Sequence, residues 1–176
     1  GLAAISLVVL YPLAKRVTWF PQLVLGLTFS WGALLGWAAV TESLPPSSIT
    51  FIYVGSVFWV FGYDTIYAIQ DMEDDRTVGI KSSALAFDRT IRLGIGAAYL
   101  MAISLIAAGL FLLEDDGLPP TILGWAGLAG MAIHLGMQVH KIRIDNSELA
   151  LNLFKSNRNA GLLLVTGLVL DRLLTG

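Results

Sequence analysis

Five carboxylates, Asp64, Asp71, Glu73, Asp74 and Asp75, crowd the end of an otherwise oily run in this 176-residue chain. At 100° per residue, Asp71 and Asp75 each fall within about 20° of Asp64 if one helix carries all three. Asp71 and Asp75 are then neighbours on adjacent turns, where like charges repel unless something positive sits between them. A hard divalent cation such as Mg²⁺ or Mn²⁺ suits such oxygen donors. Ionisable groups beside lipid point to function, so the run reads as a cation site rather than a solvated turn. Tyr63 and Tyr67 flank Asp64 and would offer ring faces to a positive charge, although core packing serves them equally well.

The elements that must position these residues are membrane helices. Hydrophobic residues make up 56% of the chain, charged residues 14%, and mean hydropathy is +0.73. Soluble domains carry about 25% charged residues. A net charge of −2 supplies no general basic field, which argues against a nucleic-acid partner. The absence of cysteine excludes disulfides and thiolate metal sites.

Apolar runs near the ~20 residues needed to cross a bilayer are expected at 21–41, 49–70, 92–113, 119–140 and 159–174, after a partial one at 2–12. Pro21, Pro45-Pro46 and Asp116-Gly117 before Pro119-Pro120 punctuate them. The reading is one all-α, multi-span transmembrane helical domain over 1–176. It also expects a chain that begins inside a hydrophobic run, as a fragment lacking its amino-terminal part. Ten of the 11 Lys and Arg residues lie in alternate connections, with Arg172 the exception. The positive-inside rule puts those connections, and the acidic run, on the cytoplasmic side.

Acid and base on one face suggest a diphosphate held through metal ions, with Lys or Arg on its oxygens. Gly79-Ile80-Lys81-Ser82 lacks the upstream glycine and strand of a nucleotide-binding loop. His134 and His140 read as bundle histidines rather than zinc ligands.

The string Tyr63-Asp64-x-x-Tyr67-Ala68-x-x-Asp71-x-x-Asp74-Asp75, followed by Gly79-Ile80-Lys81-Ser82, resembles the second Asp-rich motif of the UbiA-type intramembrane prenyltransferases. Tyr11-Pro12-x-x-Lys15-Arg16-x-Thr18, Pro21-Gln22-x-Val24-Leu25-Gly26, Ala38-Ala39-Val40-x-Glu42-Ser43 and Phe154-Lys155-x-Asn157 extend the likeness in order along the chain. Within the family the wording is most similar to members that prenylate 4-hydroxybenzoate in ubiquinone biosynthesis. The resemblance implies Mg²⁺-dependent transfer of a polyprenyl group from polyprenyl diphosphate to that aromatic ring. It implies that Asp71 and Asp75 hold Mg²⁺, with Asp74 assisting and Asp64 ordering the site. Lys15, Arg16 and Lys81 would contact the diphosphate.

The resemblance also implies an integral protein of a bacterial or mitochondrial inner membrane, in contact with the lipid bilayer. The family's first Asp-rich motif, N-D-x-x-D-x-x-x-D, has no match here. Residues 1–176 alone are therefore expected to be inactive, their partner motif being supplied by two or three further spans. Two other readings stand beside this one. The first is a relative with another acceptor, such as dihydroxynaphthoate, homogentisate or a porphyrin ring; the second is a cation-coupled transporter using the Asp cluster.

Overall fold

In the computed structural model of the chain, residues 2–175 are described, and among them every regular element is helical. The helices are α1 (Leu2–Val17), α2 (Pro21–Phe29), α3 (Trp31–Thr41), α4 (Ser47–Tyr67), α5 (Met72–Val78), α6 (Ser83–Phe87), α7 (Ile91–Leu112), α8 (Ile122–Lys141) and α9 (Ser147–Thr175). A 3₁₀ turn, Asp88–Thr90, joins α6 to α7. Among the described residues, four stretches are long and apolar enough to cross a membrane: Pro21–Thr41, Ser47–Tyr67, Ser83–Leu112 and Ile122–Lys141. The sequence expectation of an all-α membrane bundle is met.

Proline fixes where α2 and α4 start. Pro21 occupies the first turn of α2, where its missing N–H has no helical partner to lose, and Pro46 caps α4. The run 21–41 is two helices rather than one, stepping at Ser30 between α2 and α3.

Lipid tails are as apolar as leucine, so close backbone approach and polar pairing hold such a bundle together. α4 lies along α7, and α8 along α9. Where α8 crosses α9, a Cβ built on Gly127 would come within 2.9 Å of the Gly167 Cα. Only hydrogens fit there. A Cβ on Gly109 would similarly meet the Ser48 carbonyl at 2.6 Å, which brings α7 against the start of α4.

A buried polar network ties four helices together. Tyr99 on α7 donates to Gln138 Oε1 on α8 at 2.8 Å. Gln138 Nε2 donates to Ser156 Oγ on α9 at 2.9 Å, and Trp59 Nε1 on α4 donates to Asn157 Oδ1 on α9 at 2.9 Å. The His134 ring reaches the same Ser156 hydroxyl at 3.2 Å, the hydrogen-bonded bundle role expected for it. At the opposite end from the acidic run, the Asp171 carboxylate accepts from the backbone N–H groups of Thr121 at 2.9 Å and Gly124 at 3.2 Å, fastening α9 to the first turn of α8.

Candidate active site

The acidic stretch is not one helix. α4 ends at Tyr67, and residues 68–71 wind more tightly. Gln70 N–H donates to Tyr67 O at 3.0 Å and Asp71 N–H to Ala68 O at 3.3 Å, both i to i−3. One continuous helix therefore does not carry Asp64, Asp71 and Asp75, although all three line the same cleft. The cause is packing: Ile66, Ile69 and Met72 are all buried. The tighter turn keeps these three against the core. From Asp71 onward the helical spacing resumes, with Asp75 N–H donating to Asp71 O at 2.7 Å.

The chain then turns back on itself. Gly79 closes α5 in the left-handed region at φ 78°, and Ile80 N–H donates to Asp75 O at 2.9 Å. This reversal carries Lys81 and Ser82 back beside Asp75. Lys81 Nζ donates to Val17 O at 3.2 Å, at the carbonyl end of α1, and lies 5.8 Å from the centre of the Trp19 ring. Lys81 N–H and Lys15 O are 3.4 Å apart. Gln22 on α2 is buried, and its Oε1 accepts from Ser83 N–H at 3.2 Å. Thr65 and Ser83 hydroxyls meet at 2.7 Å beneath it.

These contacts bring four separate segments around one cleft of about 60 Å³. Asp64, Asp71 and Asp75 line it together with Lys15 and Lys81, and Tyr11, Tyr67, Gln22 and Ser82 are among the rest of its wall. Arg16 and Asp74 are exposed and lie outside this lining. Tyr63 also lies outside it and instead packs edge-on against Trp59 at 5.8 Å and Phe154 at 5.7 Å. Burial pushes the Asp75 carboxyl above its ordinary value and the neighbouring Asp71 adds to this; Lys15 and a hydrogen bond from Ser82 oppose it.

A second cavity, of about 340 Å³, is walled by Trp59, Tyr63 and Phe154, with Lys155, Asn157 and Arg158 at its polar edge. Phe154 links the two spaces, because its ring is 4.9 Å from Tyr67 in the acidic cleft. Gln22, Trp59 and Phe154 carried no assigned role in the sequence reading. The signal for Phe154 and Gln22 was their place in the stretches Phe154-Lys155-x-Asn157 and Pro21-Gln22-x-Val24 that carry the family resemblance.

As a cation site, the cleft supplies oxygen donors of the right chemistry. Among the described residues no three His, Cys, Asp or Glu side chains converge into a closed ligand cage. An open set fits Mg²⁺, which keeps several waters and takes one or two carboxylates plus phosphate oxygens.

A membrane helical bundle with acid and base gathered in one cleft at a helix end defines a class of protein that handles charged groups at the edge of lipid. Residues 1–160 match the UbiA prenyltransferase family, and the chain belongs to that family. It is 44% identical over 176 residues to the mitochondrial 4-hydroxybenzoate polyprenyltransferase of Mus musculus, covering 98% of this chain and 45% of that protein. The Homo sapiens protein of the same name is 41% identical, over 98% of this chain and 45% of its own length. The chain thus spans somewhat less than half the length of these curated relatives. The fold matches the apo structure of a UbiA homologue from Aeropyrum pernix K1 with a TM-score of 0.68 at 23% identity, covering 97% of this chain and 62% of that one. Membership of a prenyltransferase family leaves the transporter reading of the Asp cluster without support.

Proposed function

We propose that the protein to which this chain belongs transfers a polyprenyl group from polyprenyl diphosphate to the ring of 4-hydroxybenzoate, in ubiquinone biosynthesis. The observation that carries this is the single cleft that Asp64, Asp71 and Asp75 line together with Lys15 and Lys81. Asp71 and Asp75 would hold Mg²⁺, with Asp64 forming the deeper wall. The ion supplies positive charge that offsets the charge growing on a departing diphosphate.

Lys15 and Lys81 bind diphosphate oxygens as point charges. Lys81 is pre-positioned for this, since one of its three ammonium donors is already held by Val17 O at 3.2 Å. As the allylic C–O bond breaks, its electron pair leaves with the diphosphate oxygen. The ring carbon beside the phenol hydroxyl attacks the allylic carbon, and that ring carbon then loses its proton to the released diphosphate. The aromatic wall of Tyr67, Phe154 and Tyr63 stabilises the allylic positive charge and excludes water that would quench it. Arg16 and Asp74, exposed beside the cleft, take part in this reading only through longer-range charge.

The isoprenoid tail lies against apolar helix surface. The membrane is an inner membrane, mitochondrial or bacterial, with the cleft on its positively flanked, matrix or cytoplasmic side. Residues 1–176 by themselves are proposed to be inactive, and a second Asp-rich motif elsewhere in the parent chain to complete the site.

The test is to incubate the full-length protein in membranes with Mg²⁺, polyprenyl diphosphate and a panel of aromatic acceptors. Prenylated 4-hydroxybenzoate identified by mass is the expected product. Transfer to dihydroxynaphthoate, homogentisate or a porphyrin instead would replace the acceptor assignment. No diphosphate release with any acceptor would overturn the reading.

A further inference from the structure

On the same side of the bundle as the acidic cleft, the start of α7 and the end of α8 enclose a separate basic cavity of about 620 Å³. Arg89, Arg92 and Arg143 line it, together with Asp88 and Asp145. Arg92 is fixed in place: its Nε and one terminal nitrogen donate to Ile142 O, just beyond α8, at 2.8 and 2.6 Å. Two of its five N–H donors are used, which leaves a pre-oriented guanidinium edge. Arg89 and Arg143 are exposed and come from two different connections. Asp88 is itself drawn toward Arg76 at 3.7 Å, so the balance at the cavity mouth is positive. Asp88 also sits at φ 42° and ψ −119°, a conformation unfavourable for a non-glycine residue.

An apolar groove of about 320 Å³ follows the same α7–α8 seam into the membrane. Gly96, Leu100 and Ile103 line it from α7, and Ala132, Gly136 and Val139 from α8. By helical rise, it begins roughly 6 Å below Arg92 and extends to roughly 17 Å. The groove is open because two of its positions have no side chain. A Cβ on Gly136 would have nothing within 4 Å, and one on Gly96 would touch only Val139, at 3.6 Å. Leu100 remains 70% exposed beside it.

We infer that the α7–α8 seam binds one anionic glycerophospholipid, its phosphodiester headgroup on Arg89, Arg92 and Arg143 and an acyl chain in the Gly96–Gly136 groove. Two features single out this occupant. Charge complementarity selects an anion over a neutral headgroup, and the apolar continuation selects a lipid over free phosphate. The position, at the end of two membrane-crossing helices and in the basic connections, is where such headgroups lie.

The test uses full-length protein in mild detergent, mixed with equal phosphatidylglycerol, phosphatidylethanolamine and phosphatidylcholine, and read by native mass spectrometry. The wild type is expected to retain one phosphatidylglycerol in preference to the other two. Arg89→Gln with Arg143→Gln should lower that retention by roughly thirtyfold, the effect of two basic residues at a membrane surface. Gly136→Leu, whose Cβ would meet nothing within 4 Å, should lower it while sparing the fold. If the double arginine variant fails to fold by thermal unfolding, Arg143→Gln and Gly136→Leu decide the matter. Equal retention of phosphatidylethanolamine or phosphatidylcholine would overturn the anionic assignment. Displacement of the lipid by inorganic phosphate at equal concentration would make this an anion site rather than a lipid site. Unchanged retention in every folded variant would remove the seam from consideration.

Discussion

Asp71 and Asp75 keep helical spacing although the helix that precedes them has ended, and that local fact makes them a pair. Replacing both by Asn preserves shape and removes two negative charges. Prenyl transfer by the full-length protein should fall by on the order of a hundredfold or more, with Mg²⁺ dependence flattened and the unfolding temperature little changed. Wild-type turnover in that variant would end the catalytic reading of the motif. Lys81 makes a different contribution, because it lines the acidic cleft while its ammonium donates to Val17 O at the end of α1. Lys81→Met should weaken productive diphosphate binding by about 1.5–3 kcal/mol, the range for a hydrogen bond to a charged group. A rise in KM for polyprenyl diphosphate, or a fall in kcat/KM, measures it. Asp and Lys were recognisable in the sequence because ionisable residues next to lipid are rare and their spacing is informative. Gln22 falls in a stretch that carries the family resemblance, but its role was not legible, since its partner Ser83 lies 61 positions away.

At the scale of elements, the cleft depends on a few joints. Gln22 joins α2 to the start of α6 by accepting the buried Ser83 N–H. Gln22→Leu would leave that donor unpaired, at a cost of about 1–3 kcal/mol. Lower thermal stability of the full-length variant, with loosened Mg²⁺ binding, is the expected outcome; unchanged stability would show that another group satisfies Ser83. The α8–α9 crossing should be less forgiving. Gly127→Val would put a Cβ 2.9 Å from the Gly167 Cα and from Leu163 O, and overpacking of this kind costs typically about 1–3 kcal/mol. A fall in the yield of folded protein, or in its unfolding temperature, would register it. The element that sequence reasoning drew differently is the end of α4. Periodicity continues through residues 68–71, and nothing in their composition announces a break. The tighter turn arises because Ile66, Ile69 and Met72 must all stay in the core, which is a tertiary requirement.

For the whole molecule, orientation across the membrane is the property with the widest consequences. Ser47 and Glu148 are exposed at opposite ends of the bundle. In the full-length protein within intact bacterial cells, a cysteine at position 47 should react with an impermeant thiol reagent, whereas one at 148 should react only after permeabilisation. Reversed labelling would put the acidic cleft and the basic α7–α8 cavity on the wrong side for the proposed substrate and lipid. Position 83 is unsuitable for such labelling, because Ser83 is wholly buried against Thr65. The amino-acid sequence by itself determined the class: too few charges for water, apolar runs of bilayer length, and basic residues in alternate connections follow from transfer energies that act residue by residue. It likewise marked the acidic run as a place of chemistry, because charge beside hydrocarbon is costly wherever the chain goes. Only the tertiary structure decided which distant segments share a cleft. It brought Lys15 and Gln22 to Asp64 and Lys81, turned Tyr63 away toward Trp59 and Phe154, and left Arg16 and Asp74 at the surface. Contacts of that kind depend on how helices cross, and the crossings are set by close approaches such as Gly127 on Gly167, whose partners lie far apart along the chain.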